Sequence, residues 1–284
     1  MRLKAAGSGR ESTEIDRQNR AGNREIHSST IKTGSLDIHY YTGGDGEPLV
    51  VLHGGTGGGA REWVGSMTEL SRHYRIYVPD LPGFGLSQAI EGDHGIDDFV
   101  NFLDDFAASL GLESFYLTGH SIGGSIAMRY TVKFPHRVKK LVIINGIGMG
   151  NDTTAWIRLL GSSAICRSLG VAIAALMKAI QRALDAVFAP LKFMNPLPLA
   201  AVLLGAGMAV FRQESAVLVP QLAALMIPTL LVWGARDNIV PVSNAYNAAR
   251  LIPDCKVHVF EGGGHFVYRQ RSKEFTRLMT DFLS

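Results

Sequence analysis

Two cysteines, Cys166 and Cys255, are all that 284 residues contain, and neither belongs to a Cys-x-x-Cys pair. With no histidine at metal spacing either, a disulfide framework and a zinc site are both unsupported, so the two are read as buried free thiols. A strong charge of one sign is missing too: 28 Lys and Arg stand against 25 Asp and Glu, a net +3. That balance, without a basic stripe interleaved with aromatics, gives no footprint for nucleic acid. Residues 1–27 are poor in large apolar side chains, cannot repay the entropy of ordering, and are expected to form a flexible extension. No apolar core follows Arg2 and Lys4, so a signal peptide is not expected. Long hydrophobic runs are nearly absent. The uncharged stretch from Phe193 to Phe211 imitates a membrane span, but Asn195, Pro196, Pro198, Gly205 and Gly207 interrupt it. A soluble, cytoplasmic protein is the expectation.

Short apolar runs and glycine are what the chain does have. "STIKTG" and "LDIHYYTG" read as a hairpin. Strands then alternate with helices: "PLVVLH", a helix over 60–73, "YRIYVPD", a helix over 95–110, "SFYLTGH", a helix over 122–134 and "KKLVIING". Further on come "PTLLVWG", a helix over 244–251, "KVHVF" and a last helix over 272–282. Strands that are apolar on both faces and separated by helices predict a doubly wound, mostly parallel α/β sheet covered on each side. The rhythm breaks once, where roughly eighty residues separate "LVIING" from "PTLLVWG", far beyond an ordinary crossover. Ile173, Met177, Ile180, Leu184 and Val187 recur there at helical spacing, which predicts an inserted helical cap over 149–221. The α/β core is then 28–148 and 222–284.

"LTGHSIGG" carries the most chemistry. Gly119, Ser121 and Gly123 form Gly-x-Ser-x-Gly between a strand and a helix, the context in which the serine sits on a sharp, strained turn with its hydroxyl exposed. A serine hydroxyl is a weak nucleophile until a base takes its proton, and that base needs an orienting carboxylate. "GARDNIVP", after one later strand, supplies Asp237; "EGGGHF", after the next, supplies His265. The chain order Ser, Asp, His is the one expected when all three stand at the carboxyl edge of a parallel sheet. Asp152, after the preceding strand, is a rival carboxylate, and Glu261 a weaker one.

With these motifs, together with "HGG" at His53 to Gly55 and "DLPGFGLS" at Asp80 to Ser87, the chain resembles the α/β-hydrolase superfamily from about Ile31 to its end. That resemblance implies Ser121 as nucleophile, His265 as general base and then acid, and Asp237 as the residue fixing the imidazole tautomer. It also bears on "GTGGGA" (Gly55 to Ala60), which satisfies the dinucleotide pattern Gly-x-Gly-x-x-Ala, with Asp80 at the ribose-binding distance. A nicotinamide enzyme has no need of the serine set, whereas a serine hydrolase needs backbone N–H groups aimed at a transient oxyanion. Gly55 and Ile122 are therefore assigned to the oxyanion hole. His53 is expected to shape its loop, and Asp80, Pro82, Gly83 and Gly85 to build a turn near the mouth.

The expected reaction is hydrolysis of a carboxylic ester or thioester through an acyl-enzyme, with no metal or organic cofactor. The apolar cap favours a small substrate with a hydrophobic acyl or alcohol portion. His120, Trp156 and Phe266 are candidates for its pocket, although His120 also reads as a packed residue of the turn. The cap leans basic, which leaves peripheral contact with a lipid surface open. A carbon-carbon hydrolase acting on vinylogous diketones is the alternative within the fold, which "HGGTGGGA" resembles. That family generally places asparagine before the nucleophile and tryptophan after the histidine, where this chain has His120 and Phe266. A catalytically silent binding protein is the reading from another class.

Overall fold

The computed structural model describes residues 25–55, 58–91, 95–150 and 219–284. The expected cap therefore lies, apart from its two ends, outside the described residues, as do Trp156, Asp152 and Cys166, and so does most of the expected extension. The strands are β1 (His27–Thr33), β2 (Leu36–Gly43), β3 (Glu47–Leu52), β4 (Tyr74–Pro79), β5 (Phe115–His120), β6 (Val138–Ile144), β7 (Thr229–Gly234) and β8 (Cys255–Phe260). They form one eight-stranded sheet in the order β1-β2-β4-β3-β5-β6-β7-β8. β2 runs antiparallel to both neighbours, β1 and β4; every other pairing is parallel. The hairpin and the doubly wound sheet expected from the apolar runs are both present.

The helices are α1 (Val64–Leu70), α2 (Ile96–Ser109), α3 (Ile122–Lys133), α4 (Ser243–Ala249), α5 (Val267–Gln270) and α6 (Ser272–Leu283). Alternate residues of the central strands serve opposite faces. Val50 and Leu52 of β3 join Phe99, Phe106 and Ile126 under α2 and α3. Leu49 and Val51 join Trp63, Met67, Phe275 and Met279 on the side of α1 and α6. Each such fully buried side chain contributes about 1.5–3 kcal/mol relative to exposure, so both faces of the sheet are held against their helices. α2 shows how the sequence specifies an element. Ile96, Phe99, Phe102, Leu103 and Phe106 form its buried stripe, and the Asp98 carboxylate accepts the Gly95 N–H at 2.8 Å to close the first turn.

One expected helix is divided. Instead of a helix over 60–73, a 3-10 turn, Gly59–Trp63, precedes α1. Gly59 enters with φ +60°, and Asp80 Oδ1 takes the Ala60 N–H at 2.6 Å, so the first turn is wound around a carboxylate of the neighbouring strand. Helical periodicity in the sequence does not register a partner twenty positions away.

Candidate active site

β5 passes directly into α3 through Ser121, whose backbone stands at φ 54°, ψ −115°. A non-glycine residue in that region is strained and persists only where its surroundings hold it. They do: the Ser121 N–H donates to the Ile144 carbonyl at 3.0 Å, and its own carbonyl accepts from the N–H groups of Gly124, Ser125 and Ile147. The turn has no spare room. A Cβ on Gly119 would stand 2.2 Å from the Gly123 carbonyl oxygen, and one on Gly123 would stand 2.5 Å from that of His53. Both glycines of the motif are thus demanded by close approach of backbone.

Asp237 stands after β7. Its Oδ1 accepts the N–H groups of Ile239 at 2.7 Å and Val240 at 2.9 Å, and its Oδ2 accepts from Asn145 Nδ2 at 2.5 Å. The same Oδ2 lies 2.8 Å from His265 Nδ1. Facing an oxygen that only accepts, Nδ1 carries the ring proton and donates it, which leaves Nε2 with the lone pair. His265 itself follows β8 after three glycines, and its backbone carbonyl accepts from His120 Nε2 at 2.9 Å. Because His120 immediately precedes Ser121, that bond holds the histidine loop at the serine turn, with the two imidazole centroids 4.7 Å apart. Ser121, Asp237 and His265 are all buried, at 5%, 8% and 8% exposure.

The loop after β3 passes over the same turn: a Cβ on Gly54 would lie 3.3 Å from Ser121 Cβ. Gly55 follows it, and Ile122 opens α3, where an amide has no acceptor within the helix and the dipole is positive. His53 shapes this loop as expected. Its Nε2 accepts the Leu81 N–H at 2.9 Å, so Nδ1 bears the proton and donates to the Gly54 carbonyl at 2.6 Å. Burial pushes its pKa below the usual histidine value, against the raising effects of Gly54 and Asp80. Asp80 is engaged through both oxygens: Oδ1 takes Ala60 N–H, and Oδ2 takes Leu86 N–H and stands 2.9 Å from His39 Nδ1. At 2% exposure it is closed to a ribose, and the described residues that follow the glycines open a 3-10 turn, so the dinucleotide pattern is a coincidence of glycine spacing.

The pocket candidates fare differently. Phe266 is half-buried and packs edge-on against the His265 ring at 5.3 Å. His120 lies instead beneath the turn with none of its surface exposed, and one ring nitrogen is spent on the His265 carbonyl. Trp156 is outside the described residues. Cys255 is half-buried rather than buried, and desolvation raises its thiol to about 11, which makes it a poor nucleophile. Among the described residues no cluster of three or more His, Cys, Asp or Glu is arranged to hold a metal, and no helix is long and apolar enough to cross a membrane.

Asn145 is the residue that motif reading missed. It follows β6 at φ 46°, in an Asn-Gly step that signals a tight turn, and its amide grips the Asp237 carboxylate. Replacing it with alanine removes a hydrogen bond to a charged acceptor, so Asn145→Ala is expected to lower kcat about tenfold. Steady-state kinetics alongside an unchanged circular dichroism spectrum would check this.

The chain belongs to the alpha/beta hydrolase fold family, whose sequence profile matches residues 47–164 and 170–271. Among characterised proteins it is similar to the 2-hydroxy-6-oxo-2,4-heptadienoate hydrolase of Pseudomonas putida, 28% identical over 282 residues that cover 89% of this chain and 95% of the relative. It is also similar to the 2-hydroxy-6-oxo-6-phenylhexa-2,4-dienoate hydrolase of Comamonas testosteroni, 27% identical over 266 residues, covering 87% and 91%. Among solved structures it is similar to a membrane phospholipase A described as a bacterial virulence factor. The TM-score is 0.73 at 27% identity, with 96% of this chain and 90% of the other covered.

Proposed function

We propose that the chain is a serine hydrolase that cleaves a carboxylic ester or thioester with a hydrophobic acyl or alcohol portion. The observation that carries this reading is the strained Ser121 on a turn tied through His120 to the loop of His265, whose Nδ1 is committed to Asp237 at 2.8 Å. In the proposed reaction His265 Nε2 takes the Ser121 proton as Oγ attacks the carbonyl carbon. The Gly55 and Ile122 amides receive the tetrahedral oxyanion, each donor being worth roughly a hundredfold to a thousandfold in rate. His265 then returns its proton to the leaving alcohol or thiol. Water, deprotonated by the same nitrogen, attacks the acyl-enzyme, and the acid departs with Ser121 reprotonated.

A second reading is supported by the two dienoate hydrolases similar to this chain over most of its length. Under it the same serine and histidine sever a carbon-carbon bond beside a ketone. The phospholipase relative and the presence of His120 and Phe266 favour the ester. Turnover of a p-nitrophenyl ester series of increasing chain length, compared with a 2-hydroxy-6-oxo-dienoate, tests this. The expected result is ester cleavage that rises beyond acetyl with little action on the dienoate. The reverse preference would establish the second reading. Absence of both activities, with no fluorophosphonate labelling, would remove the serine-hydrolase reading altogether.

A further inference from the structure

Next to the serine turn lies a buried group of polar side chains that the proposed reaction does not use. Glu62, from the 3-10 turn after the glycine loop, is 8% exposed, and its Oε2 accepts the hydroxyl of the fully buried Tyr268 at 3.1 Å. Tyr268 stacks on Trp63 with 4.1 Å between ring centroids, so this bond joins the glycine-loop side of the site to α5, just beyond His265. His120 Nδ1 has no hydrogen-bond partner among the described residues, and neither has Glu62 Oε1. The two groups adjoin: His120 Nδ1 lies 4.0 Å from Glu62 Oε2. A buried ring nitrogen left without a partner is costly to a fold, and this carboxyl group is the polar group that stands next to it.

We propose that Glu62 is a positioning residue that acts through His120: its carboxylic acid donates a hydrogen bond to His120 Nδ1, which fixes the tautomer whose Nε2–H holds the His265 carbonyl. A shift of about 1 Å in the carboxyl brings the pair to hydrogen-bond length. When the proton leaves Glu62, a carboxylate confronts the imidazole lone pair. The ring proton then favours Nδ1, where it meets that carboxylate, and Nε2 is left as an acceptor opposite the His265 carbonyl. Two acceptors cannot bond, so the histidine loop loses its tie to the serine turn. His265 Nε2, the proposed base, moves with it.

The surrounding charges suit this role. Burial raises the Glu62 carboxyl to about 7, opposed by the Tyr268 hydrogen bond, the Arg269 charge and the Gly54 amide. Burial, with His265, His53 and Arg269 nearby, holds His120 well below the usual histidine range, and only its bond to His265 opposes this. His120 is therefore neutral, and its tautomer rather than its charge is what Glu62 sets. Tyr268 is pushed well above its usual value by burial and by Glu62, so its hydroxyl remains a donor.

The proposal rests on the serine-hydrolase reading for its effect on rate, though not for the tautomer, so two measurements are needed. By ¹⁵N NMR of histidine-labelled protein, His120 is expected to show the Nε2–H tautomer below the Glu62 ionisation and to lose it above. In Glu62→Gln, whose amide N–H donates at every pH, it is expected to keep that tautomer throughout. An unchanged His120 tautomer across the ionisation in the wild type would overturn the proposal whatever the protein catalyses. By kinetics on a p-nitrophenyl ester, kcat is expected to fall about fivefold as Glu62 ionises, the worth of one neutral hydrogen bond. That limb should be absent in Glu62→Gln. Glu62→Ala should be about fivefold slower even at low pH, and should add nothing to the loss in His120→Phe. Coincident profiles for wild type and Glu62→Gln, or additive losses, would overturn the role while leaving the reaction standing. Failure of the reaction itself shows separately, as fluorophosphonate labelling that does not depend on Ser121.

Discussion

Ser121→Ala is expected to abolish ester turnover and fluorophosphonate labelling, with kcat falling by a factor on the order of 10⁴ to 10⁶. Residual rate above that level would remove the hydroxyl from the chemistry. Ser121→Gly carries a second expectation that separates chemistry from conformation. The backbone at φ 54°, ψ −115° stores strain of about 1–3 kcal/mol in any residue with a Cβ. Glycine relieves most of it and returns about 0.5–1 kcal/mol through the freedom of the unfolded chain. The glycine variant should thus be inactive yet melt about 2 °C or more above the alanine variant. Equal melting temperatures in a thermal scan would mean that the strain is no larger than the cost of glycine, about 1 kcal/mol.

Asp237→Asn is expected to lower kcat about 10⁴-fold while leaving the fold in place. The carboxylate receives four hydrogen bonds, from Ile239, Val240, Asn145 and His265. An asparagine side chain has only one acceptor atom, and its NH₂ must point either at two backbone N–H groups or at the Asn145 amide and His265. In the first arrangement donors collide. In the second the imidazole must turn its lone pair toward the new N–H, so the proton shifts to Nε2 and the base is lost. Pre-steady-state kinetics should find acylation slowed, with substrate binding little changed. A loss below tenfold would mean that His265 takes its tautomer from elsewhere.

Most of the architecture was legible in the sequence because the strands are short apolar runs punctuated by glycine, and such runs have few alternatives to a covered parallel sheet. The Ser, Asp, His order was legible for the same reason: each follows a strand, so each reaches one edge. What stayed hidden is long-range and polar. Nothing in the composition around Glu62 marks it as buried, and its partners His120 and Tyr268 lie 58 and 206 positions along the chain. Asn145 looked like a turn residue and is one, but its hold on Asp237 is a contact between loops after different strands. The division of the helix over 60–73 has the same origin, a carboxylate from the next strand. His120 was the instructive ambiguity. Its place beside Ser121 suggested a pocket wall, whereas its burial and its bond to the His265 carbonyl make it a strut.

Every hydrogen bond that positions Asp237 and His265 among the described residues comes from the sheet and its edge loops. These bonds run between neighbouring strand ends, with Asn145 after β6, Asp237 after β7 and His265 after β8. The two side chains are therefore set in place by the folding of the sheet itself, with no assembly step of their own.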